Sequence, residues 1–155
     1  SETIKKNIEF GNPNSSIDDI TNAAKLAEID LEIEEFENGY NTILGERGVT
    51  LSGGQAQRIS IARSFIKDSE IYLFDDCFSS LDSDTEDRIL NNLKNNFHNK
   101  TLIIISHRVS CVKHADNIIV LNNGKIIQNG SHNELIKNEG YYKDLYLKQN
   151  TEINK

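Results

Sequence analysis

The chain has 155 residues and a formal net charge of −7, from 17 Lys and Arg against 24 Asp and Glu. That length suits one domain with a modest core, and an acidic chain without a Lys/Arg block lacks the basic patch that nucleic acid requires. No apolar run approaches the roughly 20 residues of a membrane span, no signal-peptide pattern opens the sequence, and the isolated Cys77 and Cys111 fit no metal spacing and read as reduced intracellular thiols.

In chain order, Ser1 to Phe10 reads as a short helical turn with Ile4 and Ile8 on one side, broken by Gly11-Asn12-Pro13-Asn14. Ser15 or Ser16 caps the next helix, with Asp18 or Asp19 three residues on. That helix runs to about Ile29, with Ile20, Ala24 and Ala27 inward. Leu31 to Asn38 forms a further short helix, ended by Gly39 in the C′ role. Residues 41–48 are a Gly-containing loop, read by itself as solvated with a local ion pair.

Ser52 sits where an N-cap belongs, and Ile59, Ala62 and Ile66 recur at helical spacing with Phe65 beside them. Gly53 and Gly54 remove two side chains where this helix starts, so a ligand can approach the backbone. The free N–H groups and positive dipole end suit a phosphate. A Ser cap after a Gly-Gly turn accounts equally well for the pentapeptide alone.

Residues 70–74 are a short apolar run bounded by polar ones, as in a buried parallel strand. Asp75 lies at its carboxyl end, where ligands of open α/β sheets sit, and there a carboxylate can hold Mg²⁺. The other reading of Asp75 is a helix-capping or salt-bridged acid. Ser83-Asp84-Thr85-Glu86 has the capping-box pattern and starts a helix with Ile89, Leu90, Leu93 and Phe97 on one face. Residues 101–105 are a second buried strand, followed by Ser106-His107. Asn122-Asn123-Gly124 between two apolar runs predicts a hairpin. A capped helix over 131–137 and a last helix from Gly140-Tyr141 complete the chain, and the polar stretch 150–155 is a tail.

Leu51-Ser52-Gly53-Gly54-Gln55, then Ile71-Tyr72-Leu73-Phe74-Asp75-Asp76, then Ser79-Ser80-Leu81-Asp82 resemble, in order and spacing, the signature motif, Walker B strand and D-loop of the ATP-binding cassette (ABC) ATPases. Gly45-Glu46-Arg47-Gly48 is similar to the segment that precedes the signature in exporter-type members. The resemblance runs from Ser1 to about Gln149. It implies an α/β fold: part of a P-loop NTPase-like domain with a helical signature subdomain (about 1–67), the C-terminal part of the core (about 68–149) with an incomplete parallel sheet, flanking helices and a C-terminal hairpin, and the tail. No G-x-x-x-x-G-K-[ST] occurs in the sequence, whereas the family carries this phosphate loop upstream of the signature. The expectation is therefore a piece of a larger transporter subunit, without activity of its own and with apolar strand edges that invite pairing with another chain.

The resemblance also implies roles. Such proteins bind and hydrolyse ATP with Mg²⁺, and two nucleotide-binding domains sandwich two ATP molecules head to tail. Ser52, Gly53, Gly54 and Gln55 then serve the partner domain's ATP, while Asp75 (toward Mg²⁺), Asp76 and His107 serve this chain's own, with His107 toward the γ-phosphate. Asp82 crosses the dimer interface, and Glu46 and Arg47 contact the transmembrane domain. Asp76 departs from the family, which usually places Glu there to polarise the attacking water. The shorter acid resembles the degenerate site of heterodimeric exporters, which favours a heterodimer. His98, His114 and His132 read as structural or surface residues. The implied location is the cytoplasmic face of a membrane, with no nucleic-acid partner. The rival readings are a soluble ABC-type ATPase acting on DNA or ribosomes, and an inert interaction module.

Overall fold

A computed structural model describes residues 2–45 and 48–153. The chain divides into two compact units, 1–103 and 104–155.

The first unit is built on α4 (Gly53–Phe65), which packs against α1 (Ile4–Glu9) and α2 (Ile17–Leu26). Thr3 caps α1 by accepting the Lys6 N–H at 3.1 Å, and Ile4 and Ile8 are fully buried, as the spacing predicts. Of the two serines before α2, Ser16 is the cap: it accepts the Asp19 N–H at 3.1 Å, and Asp19 Oδ2 accepts the Ser16 N–H at 2.9 Å. The link between these helices passes so close to α4 that a Cβ on Gly11 would lie 2.1 Å from the Arg63 carbonyl oxygen. Arg63 in turn donates to the Asn7 carbonyl at 2.7 Å, tying α1 to α4.

Several boundaries differ from the sequence expectation. α2 stops at Leu26, not near Ile29, because Glu28 adopts φ 57°. Ile29 N–H reaches Ala24 O and Glu28 N–H reaches Lys25 O, both at 3.0 Å, which is a Schellman ending with Glu in place of the usual Gly. A left-handed non-Gly residue costs about 1–2 kcal/mol. Arg88 at 2.9 Å and Asn92 at 3.1 Å, both on α5 (Ser83–Asn96), hold the Glu28 carboxylate against that cost. The next helix, α3 (Asp30–Glu35), ends where Phe36 turns extended, so Gly39 (φ 48°) opens a 3₁₀ turn rather than closing the helix. On α4 the inward residues are Ile59, Ile61, Ala62 and Phe65, with Ile66 only half-buried.

β1 (Ile71–Asp75) and β2 (Thr101–Ile105) pair in parallel, with α5 as the crossover between them. Tyr72 and Phe74 join Phe65 and Phe97 in an aromatic cluster, with Tyr72–Phe97 centroids 5.0 Å apart and Phe65–Phe97 5.1 Å. Burial on both faces, expected of these strands, is not found. Ile71 is 61% and Leu73 63% exposed, and on β2 Ile103 and Ile105 are half exposed. A continuous apolar run states a preference for burial on both faces, whereas on β1 only Tyr72 and Phe74 are buried.

The second unit contains α6 (Val109–Val112), the strands β3 (Ile118–Asn122) and β4 (Lys125–Gly130), α7 (His132–Leu135) and α8 (Tyr141–Ile153). β3 and β4 form the predicted antiparallel hairpin, closing at Asn122 opposite Lys125. Asn123 (φ 49°) and Gly124 (φ 73°) occupy the turn, as a two-residue hairpin loop needs. Val109, Ile118, Leu135 and Tyr142 make the core. Ile119, Leu121, Ile126 and Ile127 stay exposed. Among the described residues there are two sheets of two strands each.

Candidate functional site

The first turn of α4 is built by a capping box. Ser52 Oγ accepts the Gln55 N–H at 3.2 Å, and Gln55 Oε1 accepts the Ser52 N–H at 3.0 Å. Helix geometry gives the N–H groups of the first turn no acceptor in the ladder, and the cap itself occupies that of Gln55. Ser52 and Gly53 are exposed, so Gly53 and its neighbour Gly54 leave the helix start open to an anion on the solvent side.

Sequence reasoning missed what braces this turn. Gln55 Nε2 donates to Glu32 Oε2 at 3.0 Å, so both ends of its carboxamide are engaged within the chain. Arg58 NH1 donates to Glu32 Oε1 at 2.5 Å and to the Glu28 carbonyl at 2.6 Å, while its Nε reaches the Gly54 carbonyl at 3.3 Å. Burial pushes the Glu32 carboxyl up, but the hydrogen bonds from Arg58 and Gln55 overcome it and hold the group below its ordinary range. Glu32 and Arg58 lie 26 residues apart, and no local pattern announces such a pair.

The loop from Asp76 to Asp82 runs over the same turn. A Cβ on Gly54 would lie 3.2 Å from the Ser80 carbonyl oxygen. Its missing side chain therefore also admits this loop. Gln57 grips the loop with both ends of its carboxamide: Nε2 donates to Ser79 Oγ at 3.1 Å, and Oε1 accepts the Ser80 N–H at 2.9 Å. Phe78 and Leu81 anchor the loop from below, 1% and 7% exposed.

Asp75 ends β1, and both Asp75 and Asp76 are exposed. Asp76 has φ 48°, a left-handed conformation. Its carbonyl accepts the Ser79 hydroxyl at 2.9 Å. Among the described residues no three His, Cys, Asp or Glu side chains gather as a metal cage. Two adjacent carboxylates nevertheless supply the hard oxygens that Mg²⁺ accepts when phosphate and water complete its shell. They suit a nucleotide-borne ion rather than an all-protein site. Asp82 caps α5, its Oδ1 accepting the Thr85 N–H at 2.9 Å. That amide is the main reason its carboxyl lies below the ordinary range. The cap falls one residue earlier than the predicted Ser83, because the Asp carboxylate reaches the N3 amide.

His107 is exposed in the second unit. Gln149 of α8 holds its backbone: Nε2 donates to the His107 carbonyl at 2.8 Å, and Oε1 accepts the Val109 N–H at 2.8 Å. His132, read as structural or surface, packs its ring against Tyr142 and Tyr146. Glu46 and Arg47 lie outside the described residues.

Within the first unit, then, Ser52–Gln55 and the Asp76–Asp82 loop are brought together. Comparison with known proteins bears on this arrangement. The ABC transporter family profile matches residues 2–79. The multidrug resistance-like ATP-binding protein MdlA of Buchnera aphidicola is 49% identical over 148 residues, which is 94% of this chain and 25% of that protein. An uncharacterised ABC transporter ATP-binding protein, YknU of Bacillus subtilis, is 47% identical over 94% of this chain and 25% of its own length. The ATP-dependent lipid A-core flippase of Desulfotalea psychrophila is 45% identical over 96% of this chain and 26% of its own. Among solved structures, a bacterial Atm1-family ABC exporter with ATP bound superposes with a TM-score of 0.88 at 38% identity, over 96% of this chain and 26% of that one. The chain thus spans about a quarter of the length of these three relatives.

Proposed function

The chain belongs to the ABC transporter family, and from that premise we propose that it is the signature-to-C-terminus part of the nucleotide-binding domain of an exporter-type transporter. Residues 1–67 form its helical signature subdomain, 68–149 the C-terminal part of its core, and 150–155 a tail. It works at the cytoplasmic face of a membrane, coupled to a transmembrane domain through Glu46 and Arg47. Among the described residues no helix is long and apolar enough to cross a membrane.

The observation that carries this reading is the contact between the start of α4 and the loop that follows β1. One element offers open helix N–H groups to an anion, and the other carries the acids at a strand's carboxyl end. Two such domains, head to tail, give each ATP a signature from one and acids from the other. Ser52, Gly53, Gly54 and Gln55 face the partner domain's ATP, with the Gln55 carboxamide fixing the cap. Asp75 would hold Mg²⁺ for this chain's own ATP, and the ion would supply positive charge to the phosphates when bound. Asp76 orients water, His107 donates toward the terminal phosphate, and Asp82 lies at the seam.

Asp76 is shorter than Glu by one methylene, ~1.5 Å of reach. A misplacement near 1 Å can cost ~10²-fold in rate. This chain's own site therefore turns over slowly, and the partner in the proposed heterodimer carries the faster acid. The 155 residues contain no G-x-x-x-x-G-K-[ST], so alone they hold ATP weakly and do not hydrolyse it. Calorimetry of the chain with Mg-ATP tests this last point: no saturable heat at micromolar nucleotide is expected, and micromolar binding overturns it. For the whole reading, Ser52→Arg in the complete transporter should remove most steady-state ATPase activity. Undiminished turnover rejects it.

A further inference from the structure

Asp76 adopts a left-handed conformation (φ 48°), and its carbonyl accepts both the Ser79 N–H at 3.4 Å and the Ser79 hydroxyl. Gln57 Nε2 donates to Ser79 Oγ at 3.1 Å, and Ser79 Oγ donates to the Asp76 carbonyl at 2.9 Å. A serine hydroxyl has one hydrogen and two lone pairs. Accepting from Gln57 while giving its only hydrogen to Asp76 fixes the direction of both bonds. The other half of the Gln57 carboxamide accepts the Ser80 N–H at 2.9 Å, so turning this side chain over would set its N–H against the Ser80 N–H. Gln57 rides on a helix anchored by the buried Ile59, Ile61, Ala62 and Phe65.

We propose that Gln57 is a positioning residue for Asp76: through Ser79 it sets the backbone conformation, and hence the carboxylate direction, of the acid at the end of β1. This deepens, and rests on, the reading of Asp76 as the water-orienting acid. It also makes the first turns of the signature helix and the acid of the chain's own site parts of one hydrogen-bonded unit.

Two substitutions separate positioning from mere support. Gln57→Ala removes both contacts. Gln57→Glu keeps an acceptor for the Ser80 N–H but presents oxygen to Ser79 Oγ. The Ser79 hydrogen must then leave the Asp76 carbonyl to satisfy it. The test is NMR on the 155-residue chain without nucleotide, reading the Ser80 amide exchange rate and the positive-φ signature of Asp76 in its one-bond Cα–Hα coupling. Gln57→Ala should raise Ser80 exchange at least tenfold and shift the Asp76 signature toward negative φ. Gln57→Glu should leave Ser80 protected and still shift Asp76, and Ser79→Ala should shift Asp76 likewise. An Asp76 signature unmoved by Gln57→Glu and Ser79→Ala overturns the proposal, since a merely supporting Gln57 acts through Ser80 alone. Because no nucleotide is present, this result is independent of whether the ATPase reading holds, which the Ser52→Arg assay decides.

Discussion

The start of α4 and the β3–β4 hairpin are both turns with left-handed or glycine backbone nearby, yet they are held in opposite ways. The hairpin closes on its own residues: Asn123 and Gly124 take the two positive-φ positions, and nothing lies within 4 Å of where a Cβ on Gly124 would project. The α4 turn and the loop over it depend on partners far along the chain, with Glu32, Arg58, Gln57, Ser79 and Ser80 bonded side chain to side chain or to backbone. Structure made by local backbone preference survives changes around it. Structure made by distant polar partners fails when one partner goes, because the group left behind stays desolvated.

Substitutions can break or sharpen that contrast. Phe78→Ala should have the largest effect, about 3–5 kcal/mol of stability, since Phe78 is 1% exposed and anchors the loop from within. Chemical denaturation measures it, and a loss below about 1 kcal/mol would show that the loop is held by its polar contacts alone. Arg58→Ala comes next at about 1–3 kcal/mol. It leaves the Glu32 carboxylate and the Glu28 carbonyl short of a donor, and its side chain is 12% exposed, too buried for water to replace it fully. In the hairpin, Gly124→Ala should cost about 1–2 kcal/mol through backbone strain only. Leu121→Thr, on the bare face at 66% exposure, should stay within about 0.5 kcal/mol.

Acid should produce a smaller and graded effect. Asp19, Asp82 and Glu134 are held below the ordinary carboxylate range, chiefly by the Ser16 hydroxyl, the Thr85 amide and the Ser131 amide respectively. Burial lowers His132, with His114 and Lys113 adding to the effect. For all four the unfolded chain takes up protons first as pH falls, so each contributes stability above its unfolded pKa and loses it on acidification. Denaturation midpoints should hold from pH 8 to 7, decline slightly below about 6.5 as unfolded His protonates, and fall more steeply below about 4.5. A midpoint that rises on acidification contradicts these assignments.

What was legible in the sequence follows the same division. Asn123-Gly124, the Ser52 cap and the Ile4/Ile8 pair were readable because each signal lies within one turn of what it causes. The end of α2 was not, since Glu28 stands where Gly is expected and its left-handed conformation is held by Arg88 and Asn92, 60 and 64 residues away. Asp82 took the cap predicted for Ser83 because two neighbouring residues both had the right chemistry. The order of motifs pointed to Ser52, Asp75 and Asp76, but not to Gln57 or Glu32. These are ordinary polar helix residues until the fold supplies their partners. The bare faces of β1 and of the hairpin were equally hidden, because an apolar run states a preference for burial without naming what covers it.

The central claim is that the α4 start and the Asp76 loop, though in contact, serve two different ATP molecules. Steady-state ATPase activity of the complete transporter, with Gly53→Asp and Asp76→Asn introduced separately in this chain, tests it most directly. The account predicts that Gly53→Asp removes most turnover, by placing a carboxylate where the partner's phosphate binds, and that Asp76→Asn costs little, because its site is already slow. Turnover stopped as completely by Asp76→Asn as by Gly53→Asp would contradict it.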